Sequence, residues 1–262
     1  MLLKELRERV CEANLELPRQ GVVLYTWGNV SGIDRERGAV VIKPSGVSYS
    51  ALTPAKMVVV GLNNEVIEGD FNPSTDTRTH TVLYRAFPGI GAVAHTHSPH
   101  AVAWVQARRE IPCFGTTHAD YCFGPVPCTA PLTPGQVERD YEDETGQQIV
   151  RTFAGSDPLA RPMVLVNGHG PFTWGRSAEE AASNAVILEE IARIASATLA
   201  VDANAPALED YILAYHYERK HGPGAWYGQT ASSLSGHSRD TRINVGSTSL
   251  NIVPGAGLPK SK

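Results

Sequence analysis

Residues 87–100 read FPGIGAVAHTHSPH, and two incompatible folds can be drawn from them. Gly89-Ile90-Gly91-Ala92-Val93-Ala94 fits the dinucleotide fingerprint G-x-G-x-x-[GA], which should follow a strand and open a helix. Here the order is reversed: the glycines precede the apolar run, and the run ends on histidine. A strand sets residues two apart on one face, so His95 and His97 project together and can grip one cation. His100 lies beyond Ser98-Pro99, which reads as an N-cap with proline at the first helical position. His100 is therefore read as structural, as is His80 in the helical segment TRTHTVL. The nucleotide reading is set aside, and no P-loop pattern occurs.

Working outward, residues 2–17 place Leu3, Leu6, Val10, Ala13 and Leu17 three or four apart, an amphipathic helix ending before Pro18. GVVLYTWGNVSG and GAVVIKPSG flank the charged turn DRER and read as a hairpin. MVVVGL and VIEG form another pair, and residues 76–86 read as a helix stopping before Pro88. Residues 131–153 are polar and helical after an LTPGQ turn, and PMVLVNGHG is a buried strand that FTW can extend. Ser177 and Glu180 form a capping box before a helix to about residue 200. Residues 207–222 make a last helix with Gly222 as its stop. Mixed hairpins and long helices predict a single α/β domain with a mostly antiparallel sheet between helices. The expected domain is 1–229, and the Ser- and Gly-rich stretch 230–262 is read as a flexible tail.

Composition narrows the function. The chain has 262 residues and a formal net charge of −4, so no electrostatic footprint for nucleic acid or an anionic membrane is present. No apolar run approaches the length of a transmembrane helix, and the charged N-terminus is not a signal peptide. Four cysteines without C-x-x-C pairing suit a reducing, cytoplasmic setting.

A cation held by His95 and His97 needs a third ligand, and His169 in NGHG ends a second strand between glycines. Three histidines with an open position favour catalytic zinc over a closed structural site. A second group is polar: Gly28 and Asn29 in TWGNVSG, Lys43, Ser45 and Gly46 in KPSG, and Ser74, Thr75 and Asp76 in NPSTDT. Hydroxyls, glycine-flanked backbone and one lysine together make an anion site, although each alone is common turn punctuation. A third group is acid–base in type: Asp120 in GTTHADY, with His216, Arg219 and Tyr227 near the end of the ordered chain. By the residues alone, Tyr227 reads as a packing element of the core.

TWGNVS, KPSGV, PSTDT, AHTHS, GTTHADY, HGPFTWG and YGQ, in this order, resemble the L-ribulose-5-phosphate 4-epimerases of the class II aldolase and adducin superfamily. The resemblance runs from Met1 to Gln229 and does not reach the stretch from Thr230. It implies the class II aldolase fold, with helices on both faces of the sheet. It implies one zinc per subunit on His95, His97 and His169, with Asp76 near or on the metal, and no nucleotide cofactor. Substrate contacts are implied for Gly28, Asn29, Lys43, Ser45, Gly46, Ser74 and Thr75, with His216 and Arg219 near an interface. Asp120 and Tyr227 are implied as an acid–base pair reaching the metal from a neighbouring subunit of a C4 homotetramer. The family's Ser-Ser before the aspartate is Ser74-Thr75 here, which keeps the hydroxyl.

The implied substrate is a phosphorylated ketopentose of arabinose or ascorbate breakdown, L-ribulose 5-phosphate, converted to D-xylulose 5-phosphate. The C2 carbonyl acidifies protons on C1 and C3 but not on C4, so inversion at C4 calls for breaking and remaking C3–C4. The nearest rival is a class II aldolase of fuculose- or rhamnulose-phosphate type, which carries glutamate where Asp76 stands. A remoter rival is a non-catalytic, adducin-like binding module.

Overall fold

The protein is described by a computed structural model over residues 1–225. Tyr227 and the expected tail 230–262 lie outside the described residues. The histidine-bearing strand is β5 (Ala92–His95), and it lies inside a sheet rather than at its edge. The other strands are β1 (Asn29–Asp34), β2 (Ala39–Ile42), β3 (Val58–Gly61), β4 (Val66–Glu68), β6 (Met163–Leu165) and β7 (Pro171–Gly175). Their order is β4-β3-β2-β1-β5-β7-β6, and every neighbouring pair is antiparallel.

The strands of the sheet interior are buried on both faces, which is why they read as continuous apolar runs rather than alternating ones. Val30, Val41, Val59, Ala92 and Ala94 pack toward α1 (Lys4–Arg19) and α6 (Ala178–Val201). Val40, Ile42, Val58, Val60, Val93, Phe172 and Trp174 pack on the opposite face, toward α2 (Thr77–Ala86) and α5 (Pro134–Thr152). This is the expected α/β architecture with helices on both faces. α3 (Pro99–Ala107) follows β5 and joins α6 and β6 in a further apolar cluster. The short α4 (Thr116–Ala119) packs against α7 (Asp210–His221). No described helix is long and apolar enough to cross a membrane.

Gly91, the second glycine of the misplaced fingerprint, is needed for packing: a Cβ there would lie 2.1 Å from the Arg176 carbonyl oxygen. Asn14 of α1, fully buried, ties that helix to β1 by donating to the Val30 carbonyl (2.9 Å) and accepting from the Val30 N–H (2.8 Å).

Several local expectations change. Residues 21–28 form a loop, because Gly28 at φ 78 breaks extension and β1 starts only at Asn29. α1 continues through Pro18 to Arg19, since a proline in a last turn forfeits only one bond. Ser177 does accept the Glu180 N–H (3.2 Å), but Glu180 reaches back to the Arg176 N–H (2.7 Å), one residue too early for a reciprocal box. The complete capping box is at Thr133 and Gln136, in the stretch read as a turn. Gly222 ends α7 without adopting positive φ. α5 is broken at Asp140, whose backbone is extended.

Candidate metal and anion site

The register of the sheet brings the candidate groups together. Asn29 of β1 pairs with His95 of β5, and Phe172 of β7 pairs with the same His95. Gly28 permits this approach, since a Cβ there would stand 2.8 Å from the His95 carbonyl oxygen. On the other flank, the end of β2 is zipped to the loop before α2. Ser45 N–H donates to the Asn72 carbonyl (2.9 Å) and Ser74 N–H to the Lys43 carbonyl (3.0 Å).

One cavity of about 550 Å³ results. Gly28, Asn29, Lys43, Ser45, Gly46, Ser74, Thr75, Asp76, His95, His97 and His169 all line it, so eleven predicted residues from five separate segments meet. The nitrogen atoms that His95, His97 and His169 offer to a metal lie within 4.8 Å of one another. His95 Nδ1 donates to the Pro171 carbonyl (2.9 Å), which leaves the Nε2 lone pair turned toward His97 Nε2 at 3.0 Å. His169 Nδ1 is buried and has no partner among the described residues. One buried imidazole nitrogen without a partner, gathered with two others that face each other, fits a divalent cation.

Electrostatics agree with that fit. Burial, followed by the neighbouring His95, pulls His97 down to about 4 and His169 to about 3, so both rings stay neutral at pH 7. Neutral imidazole is the form that binds metal. Asp76 sits at the N-cap of α2, next to the triad. Burial pushes its carboxyl up, but the imidazoles of His95, His80 and His169 and the Asn29 amide outweigh this and hold it ionised. Asn29 Nδ2 donates to Asp76 Oδ2 at 2.6 Å and to Ser74 Oγ at 3.0 Å, coupling the two groups of candidates. His80 is fully buried and shares its Nδ1 with Ser31 Oγ (2.7 Å), as the structural reading expects.

Lys43 is 2% exposed and donates weakly to the Thr26 and Pro44 carbonyls (3.3 and 3.4 Å). Burial pulls it down to about 8, with Asp76 pushing back. Its ammonium therefore predominates only below that pH. Sulfate stays a dianion across this range, so its affinity should be full well below pH 8 and decline as the pH rises through it. Calorimetric titration with sulfate tests this; Lys43→Met should flatten the profile and weaken binding about tenfold. A flat profile in the unmodified protein would count against Lys43 as the anion's charge partner.

Asp120, His216 and Arg219 do not line this cavity. Asp120 ends α4 and is gripped from α7: Arg219 Nη2 reaches both carboxylate oxygens (3.0 and 2.9 Å), His216 Nδ1 lies at 3.1 Å and Lys220 Nζ at 3.4 Å. Burial raises the Asp120 carboxyl, and the bonds from Arg219 and His216 more than reverse that, leaving it low. His100 stands apart too; its N–H and that of Ala101 donate to Glu189 of α6 (both 2.9 Å), which caps α3 in place of Ser98.

Sequence reading missed Glu142, Thr26 and Trp27, which also line the cavity. Glu142 follows the break in α5, and burial, with Asp76 and Asp140 adding repulsion, lifts it to about 7. A glutamate in a polar helical stretch carries no mark in sequence; only the break turns it inward.

The family described as Class II Aldolase and Adducin N-terminal domain matches residues 8–196. An L-fuculose 1-phosphate aldolase structure superposes with a TM-score of 0.71 at 21% identity, covering 84% of this chain and 97% of that one. The L-fuculose-1-phosphate aldolase from Thermus thermophilus gives 0.60 at 26% identity, covering 78% and 98%. Sugar-phosphate aldolase from Thermotoga maritima gives 0.59 at 17% identity, covering 77% and 98%.

Proposed function

The chain belongs to the class II aldolase and adducin family, and we propose that it interconverts L-ribulose 5-phosphate and D-xylulose 5-phosphate by cleaving and remaking C3–C4. The observation that carries this reading is the union, in one cavity, of a histidine triad and a hydroxyl-rich anion cradle with Lys43. In this reading Lys43, Ser45, Ser74, Thr75 and the backbone at Gly28 and Gly46 hold the C5 phosphate. His95, His97 and His169 would hold a divalent cation, with zinc favoured by three nitrogen donors and Asp76 beside them. When bound, that cation supplies Lewis-acid stabilisation of the charge at the C2 carbonyl oxygen, worth several kcal/mol.

A base removes the C4 hydroxyl proton, the C3–C4 electron pair moves onto C3 and the adjacent C2 carbonyl oxygen, and C4 becomes an aldehyde. The fragments are the enediolate of dihydroxyacetone and glycolaldehyde phosphate. After the aldehyde turns, the pair returns to its other face and the new C4 oxygen takes a proton. Asp120 and Tyr227 are assigned to those proton transfers, each worth about 10²–10⁴ in rate. Asp120 does not line the cavity of its own chain, so this assignment requires a second copy, as in a C4 tetramer.

An aldolase of the fuculose-phosphate type is the second reading, favoured by the names of two structural neighbours. The short Asp76 side chain, tied to Asn29 and Ser74, is poorly suited to shuttle a proton to carbon and supports the epimerase reading. Incubation with L-ribulose 5-phosphate separates the two. Metal-dependent formation of D-xylulose 5-phosphate is expected, with little free dihydroxyacetone or glycolaldehyde phosphate. Net cleavage, or no turnover with a full metal complement, would overturn the reading.

A further inference from the structure

Beside the cavity, three large apolar side chains stand in solvent: Leu24, Tyr25 and Trp27 are 58%, 82% and 51% exposed. The backbone beneath them is fixed. Trp27 N–H donates to the Leu24 carbonyl (2.9 Å), and Tyr49 Oη donates to the carbonyls of Trp27 (2.7 Å) and Gly28 (2.9 Å). Tyr25 holds φ 52, a left-handed conformation that is strained for a non-glycine residue. The strained residue sets its ring edge-on to Trp27, with centroids 6.0 Å apart. The Trp27 indole in turn stands 6.2 Å from the His97 ring. A row of rings thus runs from solvent to the triad. Among the described residues lining the cavity, Trp27 is the one large apolar side chain; its companions are polar, charged or glycine.

We propose that Trp27 retains the cleaved aldehyde in the site and so decides between epimerisation and net cleavage. This rests on the epimerase reading above. Once the C3–C4 pair has moved to C3, the aldehyde fragment is held only through its phosphate. Its carbonyl end must turn and add again before it leaves or meets bulk water. Hydrogen-bonding groups around that end would fix one orientation and oppose the turn. A flat apolar wall excludes water and leaves the turn free. Trp27 lines the cavity next in sequence to Gly28 and Asn29 of the anion cradle, and its indole stands 6.2 Å from the His97 ring, so it offers such a wall beside the triad.

The test compares unmodified protein, Trp27→Ala and Trp27→Phe, all metal-loaded, on ¹³C-labelled L-ribulose 5-phosphate. NMR follows D-xylulose 5-phosphate against free dihydroxyacetone and glycolaldehyde phosphate. In Trp27→Ala the ratio of cleavage to epimerisation should rise about tenfold, and Trp27→Phe should restore it. Sulfate affinity, read by calorimetry without turnover, should stay within about twofold in both variants because the cradle is untouched. An unchanged ratio in Trp27→Ala overturns the inference, as does a lower rate at the same ratio or a collapse of sulfate affinity. The unmodified protein reports separately on the parent reading: if it forms no D-xylulose 5-phosphate, that reading fails, whatever the variants do.

Discussion

Replacement of His95 by asparagine is expected to lower metal affinity on the order of 10³-fold and to remove activity with it, since one of three nitrogen donors is lost. His95 has the most constrained ring of the triad. It is 1% exposed, stacked on Phe172 at 4.2 Å between centroids, and fixed in tautomer by the bond from Nδ1 to the Pro171 carbonyl. An asparagine amide is too short to reach the point where Nε2 lies. Two readouts separate metal loss from misfolding. Elemental analysis of dialysed protein should show about one metal per chain before substitution and almost none after. Added zinc should raise the melting temperature of the unmodified protein but not of the variant, because a ligand that binds only the folded state stabilises it by mass action. Full metal occupancy in His95→Asn would exclude the triad as the metal site.

Asp120→Asn should have an effect of similar size for a different reason. The carboxylate is held ionised by Arg219, His216 and Lys220, so the carboxamide keeps the shape and loses the proton-accepting charge. Expected is a fall in kcat of about 10²–10⁴ with metal content unchanged. A second measurement addresses where the group acts. Neither His95→Asn nor Asp120→Asn chains alone should turn over substrate at more than a residual rate. Co-expressed, they can assemble a site from the intact triad of one copy and the intact Asp120 of another, in roughly a quarter of the sites of a randomly mixed ring. Recovery of activity on mixing supports the shared site. Mixed oligomers that form but stay inactive would confine Asp120 to its own chain and sink the assignment.

The histidines and the cradle were legible because each is local. His95-x-His97 declares itself through the two-residue period of a strand, and TWGNVSG, KPSG and NPSTDT declare themselves as polar turns after apolar runs. The sheet with helices on both faces was legible for the same reason, since runs such as VVVG at 58–61 satisfy both faces at once. What failed was information carried by a neighbour. The run GVVLYTW looks like a strand by composition, yet its N–H and C=O groups find Tyr49 and the turn at Leu24 instead of a sheet partner. Ser98 looks like a cap, yet Glu189 of a helix 91 residues downstream takes the free N–H groups. Glu142 carries no mark at all until the break at Asp140 turns it into the cavity.

By itself, then, the sequence determined which candidate residues stand on which strands and turns, because periodicity and turn preference act over a few residues. Their meeting was decided only by tertiary structure. The antiparallel register that pairs Asn29 with His95, and the zipping of Ser45 to Asn72 and Ser74 to Lys43, are long-range hydrogen bonds that no local pattern encodes. The same long-range packing kept Asp120 out of the triad's cavity and fastened it to α7, and it brought Trp27 into the lining of an otherwise polar cavity.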